Sequence, residues 1–314
     1  MQKREFLKTM AVAGAAVATQ GVGSLDVLTQ AQTTEGPYDL VAVMGGEPDE
    51  MFRKAITELG GMGKFVKKDA KIVIKPNIAW NQLPEVAANT NPILIGEIVK
   101  QAIAAGAASV LVFDMTCDGG GRIWQDCYKK SGIQEAVEKA GGKMIPGNNE
   151  SDYVDVDLPN AKVHKKTKVH KELIACDAWF NVPVLKVHGG AKMTMAMKNY
   201  MGVAWDRQSF HGANLQQCIA DACTWEKKPI LNIVDAYRIM KAHGPRGQSA
   251  ADAVVAKALF ISKDIVAVDT AACKFAERFT GVTLEQASHI GCGEKLGLGT
   301  TDLDSIKVGK FNLS

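Results

Sequence analysis

Lys71-Ile72-Val73-Ile74-Lys75-Pro76-Asn77, then a segment opened by Asn91-Pro92 and closed at Gly106, then Ser109-Val110-Leu111-Val112-Phe113-Asp114, spell a strand, a helix and a second strand. The first run is short and β-branched, and Pro76 stops it because proline has no N–H to offer a neighbouring strand. Asn91 is a favoured helix cap, and proline is favoured at the first helical position. Leu94, Ile95, Ile98, Val99 and Ile103 give the helix a broad apolar face, with Gly106 at its end. The second run is apolar without alternation, as expected of a parallel strand covered on both sides.

The same grammar extends outward. Asp39–Met44 reads as a buried strand followed by Gly45-Gly46 and a helix over Met51–Leu59. Beyond Asp114, a helix over Ile133–Ala140 ends at Gly141-Gly142. Tyr153–Leu158 and part of Val163–Val169 alternate with period two, which predicts an antiparallel β insertion over 151–172. Ala178–Leu185, Ile230–Val234 and Ala258–Ser262 return to buried strands, with helices over Gln216–Thr224 and Thr270–Phe279. The pattern is α/β: a mostly parallel sheet with helices on both faces and a small antiparallel insertion, in one domain over 38–314.

Composition is that of a globular protein, with 46% apolar and 23% charged residues, and a net charge of +3 argues against a nucleic-acid partner. Cysteines at 117, 127, 176, 218, 223, 273 and 292 are odd in number and lack C-x-x-C spacing. Cys273 reads as a small buried hydrophobe, and Cys218 with Cys223 does not make a cluster site. Residues 1–31 read as an export signal: a basic start, a soft Ala/Gly/Thr-rich stretch and a small-residue exit near Thr29-Gln30-Ala31. Lys3-Arg4-x-Phe6-Leu7-Lys8 resembles the twin-arginine consensus with Lys for the first Arg, which implies the twin-arginine export machinery as a partner. The expected location is the periplasm or cell envelope, with the cytoplasm as the alternative. The stretch is too short and soft to span a membrane, and no stable span is expected in the mature chain.

Ligands of open parallel sheets bind beyond the carboxyl ends of the strands, so polar residues there matter most. Lys75 and Asn77 flank Pro76 at one such end. The densest is Lys186-Val187-His188-Gly189-Gly190-Ala191-Lys192, running on to Lys198-Asn199. A strand, a glycine pair and a helix start would expose N–H groups for an anion, with Lys186, Lys192 and Lys198 adding charge. The spacing is neither a phosphate-binding loop nor a dinucleotide fingerprint. His188 and His211 are candidates for a metal ligand or general base. Asp235 at a strand end is a candidate to orient a partner. Asp269 reads as a helix N-cap, and His243 carries little. His164 and His170, evenly spaced, would share one strand face, read as exposed.

Val73-Ile74-Lys75-Pro76-Asn77, Pro183-Val184-Leu185-Lys186-Val187-His188, Met197-Lys198-Asn199-Tyr200-Met201-Gly202, Ile233-Val234-Asp235-Ala236, Gly244-Pro245 and Val266-Ala267-Val268-Asp269 occur in that order. The set resembles domain-of-unknown-function family 362 from about residue 70 to residue 308. The resemblance implies an α/β domain. Some relatives carry a ferredoxin-like module, but no C-x-x-C-x-x-C run exists here, which argues against an intrinsic ferredoxin-type iron–sulfur cluster. The cofactor is unidentified, with a metal still open. The leading expectation is an exported, redox-linked or metal-dependent enzyme acting on a small anionic substrate. The alternatives are a non-catalytic envelope protein binding an anion or metal cofactor, and a maturation or electron-transfer partner of an exported redox enzyme.

Overall fold

Strand β1 (Leu40–Met44) shows how the sheet is buried: Leu40, Ala42 and Met44 enter one apolar cluster, while Val41 and Val43 enter another. Successive strand residues point to opposite faces, so an unbroken apolar run is what two-sided burial demands. In β2 (Lys71–Pro76), Val73 takes one face and Ile72 and Ile74 the other. The computed structural model describes residues 24–28, 36–212 and 214–313.

The remaining strands are β3 (Ser109–Val112), β4 (Lys143–Met144), β5 (Tyr153–Asp157), β6 (Lys166–His170), β7 (Ala178–Val182), β8 (Val184–His188), β9 (Lys192–Thr194), β10 (Leu231–Met240), β11 (Ala253–Ser262) and β12 (Val308–Asn312). The main sheet runs β12-β1-β11-β10-β7-β2-β3-β4, and β8 pairs with β10 and β9. From β10 through β7, β2 and β3 to β4 every pairing is parallel. β11 is antiparallel to both β1 and β10, which makes the sheet mixed but mostly parallel. β5 and β6 form a separate antiparallel pair, as the period-two pattern predicted.

Helices α1 (Pro48–Glu58), α2 (Pro92–Ala104), α3 (Trp124–Lys130) and α4 (Ile133–Lys139) pack on one face. Helices α5 (Lys171–Ala175), α6 (Ala196–Met201), α7 (Arg207–Gly212), α8 (Leu215–Ala222), α9 (Ile265–Thr280) and α10 (His289–Lys295) contribute to the cluster on the other. Asn91 caps α2 by accepting from Ile93 N at 3.0 Å, with Pro92 at its first position. Ile103, assigned to the inward face of α2, is instead 37% exposed.

Several expectations need correction. The strand read over Ala178–Leu185 is two strands, broken at Pro183, whose carbonyl still accepts from Asp235 N at 2.9 Å. Gly189-Gly190 does not open a helix: it lies in the turn of the β8–β9 hairpin, where Lys192 adopts φ 65. Asp235 lies mid-strand because β10 runs on to Met240. Asp269 lies inside α9, whose N-cap is Asp264.

Packing also begins upstream of residue 38, where the sequence pattern starts the domain. Ser24 caps a turn over Leu25–Val27, and Leu25 and Leu28 are buried in the cluster shared with α9. The rest of the expected export signal lies outside the described residues. Leu28→Ala is expected to lower the unfolding free energy by about 2–5 kcal/mol, as for other fully buried leucines. An unchanged urea midpoint would show that this turn adds nothing to the core.

Candidate functional site

A cavity of about 1110 Å³ opens beyond the ends of β2, β3 and β8, where a parallel sheet presents loops instead of hydrogen-bonded edges. Lys166, Thr167 and Lys168 of the β5–β6 hairpin and His211 of α7 line its outer side.

The floor is ionic. Lys75 Nζ lies 2.7 Å from Asp114 Oδ1, and each side chain is only 1% exposed. Lys75 also donates to Asn199 Oδ1 and to the Pro76 carbonyl, both at 2.9 Å. Asp114 accepts from Ile78 N at 2.7 Å and Met115 N at 2.9 Å, fixing the loops after β2 and β3 together. Burial pulls the Lys75 ammonium down and Asp114 opposes that pull. A Cβ at Gly202 would lie 2.9 Å from the Asn199 carbonyl oxygen and 2.9 Å from Lys75 Nζ, so a side chain there would force the floor to shift. Behind the ion pair, Asn199 donates to Asn181 Oδ1 at 2.9 Å, and Asn181 donates to Asn232 Oδ1 at 2.9 Å. Buried amides survive only when paired, and this ladder pairs them from α6 across β7 to β10.

Two further lysines lack a carboxylate. Lys186, 1% exposed, donates to Asn77 Oδ1 at 3.0 Å and to the Ala88 carbonyl. Burial brings its ammonium down to about 7. Lys198 has no side-chain hydrogen bond or ion pair among the described residues, and burial followed by repulsion from Arg207 brings it to about 8. Among the described residues, the Arg207 guanidinium hydrogen-bonds only the Thr116 carbonyl, at 3.4 Å. Thr194, opposite Lys186 in the β8–β9 ladder, lines the cavity with a buried hydroxyl that has no partner.

His188 and His211 face each other with ring centroids 6.3 Å apart. His188 Nδ1 accepts from Ala191 N at 3.2 Å, so the neutral ring carries its hydrogen on Nε2. His211 Nδ1 lies 2.7 Å from the Arg207 carbonyl and must donate to it, leaving Nε2 bare. Burial, then Lys198 and Lys186, hold His188 down at about 3, and burial also lowers His211. One neutral imidazole thus offers N–H and its neighbour a lone pair.

The expected residues Lys75, Asn77, Lys186, His188, Lys198, Asn199 and His211 all line this one cavity. Gly189, Gly190 and Lys192 do not: they are exposed on the β8–β9 hairpin. The N–H groups at the start of α6, expected to bind an anion, are already taken. Ala196 N and Met197 N donate to Asp269 at 2.6 and 2.9 Å. Asp235 does not line this cavity; it accepts from Asn91 N at 2.7 Å and Tyr237 N at 3.0 Å. His170 is not on an exposed face; it is 2% exposed, stacks near Phe113 and caps α5 through Glu172 N. His164 does line the cavity, with Nε2 unpartnered, and His243 pairs with Asp252 at 2.6 Å. Sequence reasoning missed Asp114, Thr194 and Arg207. Only Asp114, closing an apolar strand run, carried a signal that could have found it.

Among the described residues no three His, Cys, Asp or Glu side chains converge as a metal site. No described helix is long and apolar enough to cross a membrane.

The chain belongs to the family described as "Domain of unknown function (DUF362)", which it matches over residues 72–274. A relative, the "Thylakoid-associated protein sll1697" of Synechocystis sp., is 24% identical over 238 residues, covering 70% of each chain. The lactate racemase apoprotein from Thermoanaerobacterium thermosaccharolyticum superposes with a TM-score of 0.48 at 14% identity, over 81% of this chain and 58% of that one. A protein from Thermotoga maritima gives 0.34 at 13% identity, over 60% of this chain and 51% of the other.

Asp114→Asn is expected to cost about 3–5 kcal/mol, because it strands a buried ammonium. Lys75→Met combined with Asp114→Leu should recover much of that loss in chemical denaturation. Equal losses in the single and double variants would show that the pair is not what orders the floor.

Proposed function

We propose that this protein is an enzyme acting on a small anionic substrate, with Lys186, Lys198 and Arg207 holding the anion and His188 and His211 moving a proton. The observation that carries this reading is a buried lysine, Lys186, and a half-buried one, Lys198, that line the cavity with no carboxylate partner among the described residues. Uncompensated buried ammonium groups are costly, and an anionic ligand is what offsets that cost. The two imidazoles, held in complementary neutral tautomers, supply an acid and a base side by side. No step in this reading requires a metal or redox group.

The test is deuterium incorporation into a panel of small carboxylates incubated with the protein in D₂O, read by proton NMR. His188→Gln is expected to slow incorporation by about 10²–10⁴-fold while leaving anion-induced thermal stabilisation in place. Anion binding with no exchange in any member of the panel would make this a non-catalytic binding protein.

We also propose that the protein is exported by the twin-arginine route, on the strength of Lys3-Arg4-x-Phe6-Leu7-Lys8 and the soft segment that follows. A reporter fused after Ala31 should leave the cytoplasm only when the twin-arginine translocase is present. Export that persists without that translocase would sink the idea.

A further inference from the structure

We propose that the ligand of this cavity is a dianion, such as a small dicarboxylate, and that its binding draws a proton from solvent onto the Lys186–Lys198 pair. This rests on the anion reading above and narrows it.

The charge balance carries the first half. Lys75 is neutralised by Asp114. Lys168 is paired with Glu150 at 2.6 Å, and Lys166 lies 3.8 Å from Asp157. Lys186, Lys198 and Arg207 remain, and none of them has a carboxylate within ion-pair distance among the described residues. The other lining acids, Asp155 and Asp206, are exposed at the rim. With all three in their charged forms, a monoanion leaves two of them without a counter-charge and a dianion spanning them leaves one, so a dianion is the ligand that best stabilises the charged forms of Lys186 and Lys198. The unpartnered Thr194 hydroxyl beside Lys186 is a ready donor for the same ligand.

The second half follows from what surrounds the two ammonium groups. Lys75 from β2, Asp114 and Cys117 from the segment after β3, and Lys198 from α6 act on Lys186. Arg207 from α7, together with Cys117, Lys75 and Asp114, acts on Lys198, which in turn acts on His188, His211 and His289. Burial leads in both lysines and brings them from 10.5 to about 7 and about 8. Above those values the empty cavity holds them increasingly neutral. A dianion favours the charged forms and raises both values, so protons are taken up on binding at pH above about 7. Affinity should therefore fall as pH rises through about 8.

The experiment is calorimetric titration of the protein with malonate and with acetate at a pH above 8, in two buffers of different ionisation enthalpy. Malonate is fully ionised there, so any proton taken up goes to the protein. We expect malonate to bind at least about tenfold tighter than acetate, with uptake of about one proton that Lys186→Met abolishes or halves. Should that variant fail to fold, Lys198→Met takes its place. Malonate binding without proton uptake, or no tighter than acetate, overturns this inference and leaves the anion site intact. No binding of either anion overturns both.

Discussion

The ion pair between Lys75 and Asp114 is the contact on which the cavity depends. An ammonium and a carboxylate, each 1% exposed, sit where two parallel strands end and their loops diverge. Removing two charges from water costs several kcal/mol per ion, and mutual attraction offsets this only when the remaining valences are filled. They are filled here: Asp114 takes two backbone N–H groups from different loops, while Lys75 reaches Asn199 and the Pro76 carbonyl. The pair is thus less a source of net stability than a registration device. It fixes the loop after β2, the loop after β3 and, through Asn199, helix α6 in one arrangement, and Lys186 and Lys198 stand around that arrangement.

Three of the buried aspartates share one use. Asp114 binds Ile78 N and Met115 N, Asp235 binds Asn91 N and Tyr237 N, and Asp269 binds Ala196 N and Met197 N. Each satisfies backbone donors that a loop or a short helix would otherwise leave orphaned. Burial pushes Asp235 and Asp269 up, to about 6 and about 7, while those N–H groups pull the other way. With Asp235 and Asp269 committed to backbone and Asp114 to Lys75 and backbone, Lys186 and Lys198 have no carboxylate partner among the described residues. The cavity is cationic because the fold spends its acids elsewhere.

This division explains what was legible in the sequence. β-branched runs, Pro76 and the Asn91-Pro92 cap are local signals, and they located the strands and the carboxyl ends where Lys75, Lys186 and His188 stand. Lys198 and Asn199 were found for a reason that failed, because the expected anion hole at the start of α6 is occupied by an aspartate about 70 residues further along the chain. No local pattern announces a carboxylate arriving from α9. Asn181 and Asn232 interrupt apolar strand runs, and a buried amide in such a run demands a partner; the two meet through tertiary contact that no local pattern specifies. Arg207 reaches the cavity only because α7 folds back over it, which no spacing encodes.

The two halves of the site also constrain each other electrostatically. His188 is held neutral by burial and by Lys198 and Lys186, so the cations lining the cavity also set the protonation of this imidazole. An anion that neutralises the lysines removes part of that repulsion and makes the imidazole more basic as it binds. His211, restrained through Nδ1 by the Arg207 carbonyl, keeps its bare Nε2 on the same helix as the guanidinium that completes the cationic set. Ligand charge and proton affinity are therefore coupled through Lys198. In a cavity built this way, a bound anion is expected to raise the proton affinity of His188, whose protonation at Nδ1 would have to displace the hydrogen bond from Ala191 N.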